Sequence, residues 1–175
     1  MSSSISDPIA RSWRLEPARP RDAGAVLALY RSLVGLPGTT WTEDYPGAEE
    51  VENDLARGSL WCIRGPDNAL WGAASLREDD EDIRDLSCWT PAKNSCELTR
   101  VGIRQDLQGR GLGEAFVGRL LRDAAQEGRD MARLLAGSGN RAALRLYEKL
   151  GFVPCGRTRM YEVDWVCMEK KLSRL

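Results

Sequence analysis

The segment with the clearest chemical potential in this sequence is a glycine-rich loop, Gln108-Gly109-Arg110-Gly111-Leu112-Gly113, between a predicted strand and a predicted helix. Glycines at such a position let consecutive backbone N–H groups converge on an anion, and the N-terminus of the helix adds its positive end. The Arg110 guanidinium can add a charge-assisted hydrogen bond to phosphate. The loop therefore predicts a pyrophosphate site, and the alternative is a glycine-rich turn that binds nothing.

The loop does not match two other phosphate-binding patterns. A Walker loop ends in Gly-Lys-Ser/Thr, and no such sequence follows here. A dinucleotide fingerprint needs a third glycine three residues after its second one. Counted from Gly109 or from Gly111, that position holds Glu114 or Phe116. A phosphate-bearing ligand must therefore be recognised by a different motif.

Histidine is absent from the whole sequence. Its absence rules out Ser-His-Asp and Cys-His catalytic arrangements, histidine metal sites and imidazole acid–base chemistry. The five scattered cysteines form no Cys-x-x-Cys pair and predict neither a disulfide framework nor a zinc site. Any chemistry must therefore use carboxylates, hydroxyls, thiols, Lys, Arg or the backbone, and we expect no metal.

Overall charge and hydropathy predict a single soluble domain. The 25 basic and 26 acidic residues nearly cancel, so neither a nucleic acid nor a membrane surface is an expected partner. No apolar run is long enough for a membrane span, and the Ser-rich residues 1–11 lack the core of a signal peptide. We therefore expect a frayed tail over 1–11, one domain over 12–175, and a cytoplasmic location with reduced cysteines.

Apolar periodicity and turn signals predict an α/β domain with the element order β-α-α-β-β-β-α-β-α-β-β. The predicted strands cover residues 13–16, 60–63, 70–76, 96–103, 133–136, 152–157 and 163–172. The predicted helices begin near Pro20, Ala48, Gly113 and Asn140. Two strand pairs, 60–63 with 70–76 and 152–157 with 163–172, are expected to form antiparallel hairpins. The acidic run 78–82 is predicted to be a solvated loop.

Two motifs in sequence order resemble the GCN5-related N-acetyltransferase (GNAT) family over nearly the whole chain. Gln108, Gly111 and Gly113 match the acetyl-CoA signature Gln/Arg-x-x-Gly-x-Gly/Ala. The stretch from Asn140 to Phe152 matches the second signature, Asn-x-x-Ala-x-x-x-Tyr-x-x-x-Gly-Phe, without an insertion. The resemblance implies the GNAT fold, a mixed seven-stranded sheet with splayed central strands and about four helices. It also implies direct acetyl transfer from acetyl-CoA to an amine.

The resemblance further implies which residues hold acetyl-CoA. Backbone N–H groups of the loop would bind the pyrophosphate, and the backbone of Val101 and Ile103 would pair with the pantetheine arm like an added strand. Asn140 would meet the same arm from the other side, and the Val101 N–H would polarise the thioester carbonyl. The expected cofactor-binding residues are Val101, Ile103, Gln108, Gly109, Arg110, Gly111, Leu112, Gly113 and Asn140.

Glu97 and Tyr147 match acid–base positions of the family. In a regular strand Glu97 has the same side-chain parity as Val101 and Ile103. We expect it to be the general base, directly or through water, and a salt bridge such as one with Arg100 is the alternative. Tyr147 is expected to be the general acid that protonates the departing thiolate, and a core aromatic is its alternative.

The residues that bind the acceptor are the hardest to predict from the sequence. Trp41, Tyr45 and Trp89 fall in segments where the family builds its acceptor pocket, although core packing explains such aromatics equally well. If the acidic run 78–82 has a function, it would concentrate cationic amines. Cys96 follows the opposite parity to Glu97 and is predicted to be a buried, inert thiol.

Two rival functions and one structural question stay open at this stage. The chain is either a working acetyltransferase or a CoA-binding regulatory module without turnover, and the presence of both Glu97 and Tyr147 favours the first. Transfer of a different acyl group is the second rival, because the acyl pocket has no sequence signature. The oligomeric state is also open, although a homodimer is usual for such a family.

Overall fold

Seven strands form one mixed sheet in a computed structural model that describes residues 12–174. The tail predicted over residues 1–11 lies outside the described residues. The sheet order is β1-β2-β3-β4-β5-β7-β6, and only β4 and β5 pair in parallel. The strands are β1 (Arg14–Pro17), β2 (Leu60–Arg64), β3 (Leu70–Arg77), β4 (Ser95–Ile103), β5 (Met131–Gly137), β6 (Val153–Met160) and β7 (Val163–Lys171). The predicted sheet and both predicted hairpins are confirmed.

Helices cover both faces of the sheet. They are α1 (Ala23–Ser32), α2 (Ala48–Ala56), α3 (Glu81–Arg84), α4 (Leu112–Gln126) and α5 (Arg141–Lys149). The predicted apolar stripe of α4 is buried, with Phe116 and Val117 fully inaccessible, in a cluster that includes Leu134 of β5. On the other face, Val26 and Tyr30 of α1 pack in a second cluster with β2 and β3. The face with α4 is called the α4 face below, and the other the α1 face.

The structure corrects the sequence prediction for the segment after β3. Instead of a solvated loop, the acidic run contains the one-turn helix α3, whose first N–H, from Glu81, is capped by the Asp80 carboxylate at 2.7 Å. Asp79 is buried, because its carboxylate accepts hydrogen bonds from Arg133 at 2.6 Å and from Ser95 at 2.5 Å. Arginine from a distant strand thus neutralises a charge that the local sequence presents as exposed.

Strands β4 and β5 separate along their length. Their pairing comprises Ser95 with Met131, Cys96 with Ala132 and Glu97 with Arg133. Beyond these pairs, no pairing is recorded between the later parts of the two described strands, residues 98–103 and 134–137. The predicted splay of the central strands is therefore present, and we call the gap the β4–β5 opening. Its facing edges carry backbone N–H and C=O groups that an extended ligand can pair with.

Candidate active site

The glycine-rich loop follows β4 after a short 3-10 turn, Gln105–Leu107, and leads into α4. The Gln108 side-chain amide donates to the Ile103 carbonyl at 3.0 Å and so ties the loop to the strand. Gly111 is the N-cap of α4 and, like Gly109, has a left-handed backbone, with φ of +79° and +74° respectively. Leu112, the first residue of α4, is buried, and the N–H groups of a first helical turn have no partner within the helix. This is the geometry of an anion site.

Protein atoms leave room around the glycines of the loop. A Cβ added at Gly109 or at Gly111 meets no protein atom within 4 Å, whereas at Gly113 it makes ordinary contacts of 3.6 Å with Leu146 and 3.7 Å with Ile103. Protein atoms therefore leave room for a side chain at each of these three positions. At Gly109 and Gly111 the positive φ is what favours glycine. The open space beside them fits a bound pyrophosphate.

Asn140 precedes α5, whereas Arg110 belongs to the glycine-rich loop. The Asn140 side-chain oxygen Oδ1 accepts from the Ala143 N–H at 3.1 Å and thereby caps α5. This helix-capping role is one that the family signature did not reveal, although Asn is a preferred N-cap residue. Arg110 is exposed on the loop itself. Helix α5 follows the end of β5, so Asn140 lies just beyond that end of the strand.

A β-bulge interrupts β4 just before Val101. The register with β3 passes from Ala73 opposite Gly102 to Ser75 opposite Thr99, so β4 contains one residue more than its partner. Arg100, at the bulge, has φ +50°. A bulge of this kind leaves its residues outside the regular ladder and reverses the side-chain alternation that follows. No local sequence signal marked it, because a glycine or asparagine is the usual residue at positive φ.

The bulge makes the same-face prediction for Glu97 wrong. Cys96 and Leu98 belong to the cluster beneath α4, so Glu97 between them points to the α1 face. After the bulge, Val101 and Ile103 pack against that same α4 cluster. Glu97 therefore lies on the opposite face from their side chains. It shares the α1 face with the segments in which the acceptor pocket was expected.

Glu97 is held by an ion pair at the narrow end of the β4–β5 opening. Its Oε2 accepts from Arg77 Nε at 3.1 Å and from the Asp80 N–H at 3.3 Å. The side chain is 7% exposed, and burial raises the pKa of Glu97 while the Arg77 charge opposes that rise. The partner is thus Arg77 rather than Arg100, whose guanidinium binds Asp54. Sequence reasoning missed Arg77, since only the strand pairing brings it to Glu97.

Tyr147 projects from α5 into the core beneath the sheet. Its ring meets the edge of Phe152 at a centroid distance of 5.7 Å and an angle of 69°. Burial raises the pKa of Tyr147 to about 12, so the phenol keeps its proton at neutral pH. A protonated phenol is the form that can donate to a thiolate. Both readings of Tyr147, core aromatic and proton donor, are compatible with this packing.

The three aromatic residues assigned to the acceptor region separate in the structure. Trp41 lies on Gly102 of β4, and the neighbouring Thr40 lies on Gly137 of β5, so the α1–α2 connection (residues 33–47) spans the β4–β5 opening. Tyr45 in the same connection is 41% exposed. Trp89 is buried instead, with its indole N–H donating to the Ile83 carbonyl. Trp89 therefore packs in the core, whereas Trp41 lies beside the opening and also meets the Tyr30 ring edge-on, with ring centroids 5.0 Å apart.

A separate cavity lies at the other end of the sheet. It has a volume of about 780 Å³ and lies among the end of β3, the turn before β2 and the second half of α4, with Arg57, Arg129 and Leu120 in its walls. None of the loop glycines lines it. Cys96 contributes to a wall, and burial raises the pKa of its thiol to about 12. The prediction that Cys96 is buried is confirmed, and a raised pKa keeps its thiol protonated at neutral pH.

Within residues 12–174, no group of three or more His, Cys, Asp or Glu side chains is arranged to hold a metal ion. Over the same residues, no helix has the length and apolar character needed to cross a bilayer.

Comparisons with known proteins identify the class of fold and site. The family model described as "Acetyltransferase (GNAT) family" matches residues 26–152. A GNAT-family acetyltransferase from Streptococcus agalactiae superposes with a TM-score of 0.78 at 21% identity, over 93% of this chain and 96% of that one. YncA from Salmonella typhimurium, solved with its cofactor acetyl-CoA, gives 0.71 at 20% identity, over 94% and 96%. The chain therefore belongs to the GNAT acetyltransferase family.

A curated relative is more similar in sequence but matches over a shorter stretch. Mycothiol acetyltransferase from Streptomyces scabiei is 40% identical over 79 residues, which are 43% of this chain and 26% of that protein. The chain thus spans about a quarter of the length of this relative. The match supports the family, while the substrate of the longer protein is a property of that protein.

Proposed function

We propose that this chain is an N-acetyltransferase that moves the acetyl group of acetyl-CoA to a primary amine. The observation that carries the proposal is the β4–β5 opening, together with the glycine-rich loop that follows β4 and leads into the N-terminus of α4. An extended pantetheine arm fits the first feature, and a pyrophosphate fits the second. Bound acetyl-CoA would supply an activated thioester. The five free cysteines are consistent with activity in a reducing cytoplasm.

Acetyl-CoA would be held by the backbone of two segments. We assign the pyrophosphate to N–H groups of residues 108–113 with Arg110 beside them, and the pantetheine arm to the backbone of Val101 and Ile103. Asn140 would approach the same arm with its side-chain Nδ2, since its side-chain Oδ1 caps α5. The Val101 N–H would polarise the thioester carbonyl, a task for which a fixed backbone dipole is well suited.

Glu97 and Tyr147 would move the two protons of the reaction. Glu97, directly or through water, accepts the proton that the acceptor ammonium must lose, because an alkylammonium has a pKa of about 10. Tyr147 gives a proton to the CoA sulfur as the N–C bond forms and the C–S bond breaks, and the second N–H proton, which the nitrogen loses as the amide forms, returns to the tyrosinate. Support for the base is its position on the α1 face, where Trp41 and Tyr45 also lie. Support for the acid is its protonated state at neutral pH.

The acceptor proposed here is a small amine or an exposed amino group. The structure weakens the case for a cationic acceptor, because Asp79 and Asp80 of the acidic run already bind Arg133 and Arg77. The similarity to mycothiol acetyltransferase supports including amines related to mycothiol among the acceptors tested. A homodimer is compatible with the proposal, since the sites assigned above come from one chain.

An acetyl-CoA assay that reads free thiol tests this function. Acceptors would comprise mycothiol-related amines, amino acids, polyamines, aminoglycosides and peptide N-termini, with mass spectrometry to locate the acetyl group. The expected result is amine-dependent thiol release with the acetyl group on nitrogen. Acetyl-CoA binding without turnover across the panel would favour the CoA-binding module instead. Faster turnover with a longer acyl-CoA would assign a different acyl group.

A further inference from the structure

A buried ion pair joins the bulge of β4 to helix α2. The Arg100 guanidinium donates two hydrogen bonds to the Asp54 carboxylate, from Nε at 2.9 Å and from Nη2 at 2.7 Å. Asp54 is completely buried, and Arg100 is 9% exposed. Arg100 Nη1 donates a third hydrogen bond to the Tyr45 hydroxyl at 3.2 Å. One side chain therefore links β4 with α2 and with the α1–α2 connection.

The Arg100 backbone needs such support. Its φ of +50° lies in the left-handed region, where a residue with a Cβ is unfavourable. Conformations of this kind persist only where surrounding contacts hold them in place. The Asp54 carboxylate provides that contact, because a planar guanidinium bound at two nitrogens is fixed in both distance and angle. The bulge thus depends on a residue 46 positions away in sequence.

The bulge in turn determines the direction of the neighbouring backbone. Residues 100 and 101 of β4 lie opposite the single residue Ala74 of β3, so neither follows the regular ladder. Val101, whose N–H we assign to the thioester carbonyl, directly follows Arg100. Catalysis by an oriented N–H depends on its placement to within a fraction of an ångström. A small rotation at Arg100 would therefore misplace this donor while leaving the glycine-rich loop unchanged.

We infer that Asp54 is a positioning residue for acetyl transfer. Through the Arg100 guanidinium it holds the bulge that aims the Val101 N–H at the acyl carbonyl. The third hydrogen bond extends this link to Tyr45, in the same connection whose Trp41 lies on Gly102, so the acceptor side and the acyl side are mechanically joined. The inference rests on the proposed function for its catalytic consequence and on the ion pair alone for its structural part.

The test is Asp54→Asn, which keeps the side-chain size and removes the charge. Asp22→Asn is the matched control, because it breaks another buried arginine–aspartate pair, Asp22 with Arg64 at 2.5 Å, between the turn before α1 and β2. Three measurements compare both full-length variants with the wild type. They are hydrogen–deuterium exchange of peptides covering residues 98–103, acetyl-CoA affinity by calorimetry, and kcat. The kcat is measured at a temperature below the melting temperature of the least stable of the three proteins.

In Asp54→Asn we expect exchange over 98–103 to accelerate about tenfold and kcat to fall about tenfold or more, with acetyl-CoA affinity within about twofold of wild type. Asp22→Asn should change neither. Unchanged exchange in Asp54→Asn, or a fall in kcat no larger than that of Asp22→Asn, overturns the inference. If wild type transfers no acetyl group, the proposed function fails, while the exchange data still decide whether the pair holds the bulge.

A milder variant serves if Asp54→Asn does not fold. Tyr45→Phe removes only the third hydrogen bond to Arg100 and keeps the aromatic ring. We expect exchange over 98–103 to rise about twofold and kcat to fall about two- to fivefold, because the guanidinium loses one of its three anchors. Exchange and kcat equal to those of the wild type would overturn the inference.

Discussion

At the scale of single residues, the two side chains proposed for proton transfer are held by different forces. An arginine and a backbone N–H fix the Glu97 carboxylate, whereas aromatic packing fixes the Tyr147 ring. A phenol held by its ring can lose its hydroxyl and keep its place. The pKa of a carboxylate held by hydrogen bonds changes instead when its partner is removed. The two roles therefore need different substitutions.

Tyr147→Phe should lower kcat by about one to three orders of magnitude with little change in melting temperature. The reason is that phenylalanine keeps the ring contact with Phe152 and deletes only the proton donor. Steady-state kinetics with a working acceptor would measure the effect. Tyr161→Phe is the control, because Tyr161 is 72% exposed at the tip of the β6–β7 hairpin. An unchanged kcat in Tyr147→Phe would make Tyr147 a core residue only.

Arg77→Gln should move the acid limb of kcat/KM to higher pH. Glu97 acts as a base only when deprotonated, so activity should rise with pH through its pKa. Burial already raises that pKa and the Arg77 charge lowers it, so removal of the charge raises it further. Arg159→Gln is the control, since Arg159 pairs with Asp164 on an exposed part of the β6–β7 hairpin. An acid limb at the same pH in both variants would exclude Glu97 as the base.

At the scale of elements, the start of α4 depends on the backbone of Gly111. Gly111→Val should abolish acetyl-CoA binding while the protein stays folded, because a β-branched residue avoids φ near +79° and turns the N–H groups away. Calorimetry with acetyl-CoA measures the loss. Gly58→Val is a matched control, with φ +68° and equally open space at its Cβ. Near-normal affinity in Gly111→Val would contradict the assignment of the loop.

Helix α3 is held to the sheet by the buried pair of Asp79 with Arg133. Asp79→Asn should therefore lower the free energy of unfolding by about 3 kcal/mol, since it leaves a buried guanidinium without its counter-charge. Urea denaturation would measure the change. Glu81→Gln, on the exposed side of α3, should stay within about 0.5 kcal/mol of wild type. Equal stability of the two variants would show that the segment behaves as the solvated loop predicted from sequence.

The elements that could be predicted well are those whose pattern lies within a short stretch of the sequence. The stripe of α4, with Phe116 and Leu120 buried, follows from a spacing of three and four residues. The β2–β3 hairpin follows from its Gly-Pro-Asp-Asn turn. The bulge at Arg100 and the burial of Asp79 could not be predicted, because each depends on a partner about fifty residues away. Long-range ion pairs have no signature in the local pattern.

At the scale of the whole molecule, one sheet brings distant motifs to a common site. The loop after β4 and the N-terminus of α5 after β5 meet because the two strands run parallel and both lead to the same edge of the sheet. This arrangement is why two motifs are enough to propose where the cofactor binds. The α1–α2 connection and the segment after β3, where we propose that the acceptor binds, have no comparable motif.

The central claim is that acetyl-CoA enters the β4–β5 opening and rests on the loop at the start of α4. Hydrogen–deuterium exchange of the wild-type chain, with and without acetyl-CoA, tests it most directly. The expected result is protection of residues 98–103, 108–113 and 137–140, with little change over 120–129. Protection confined to residues 57–59 and 120–129, around the separate 780 Å³ cavity, would contradict the account.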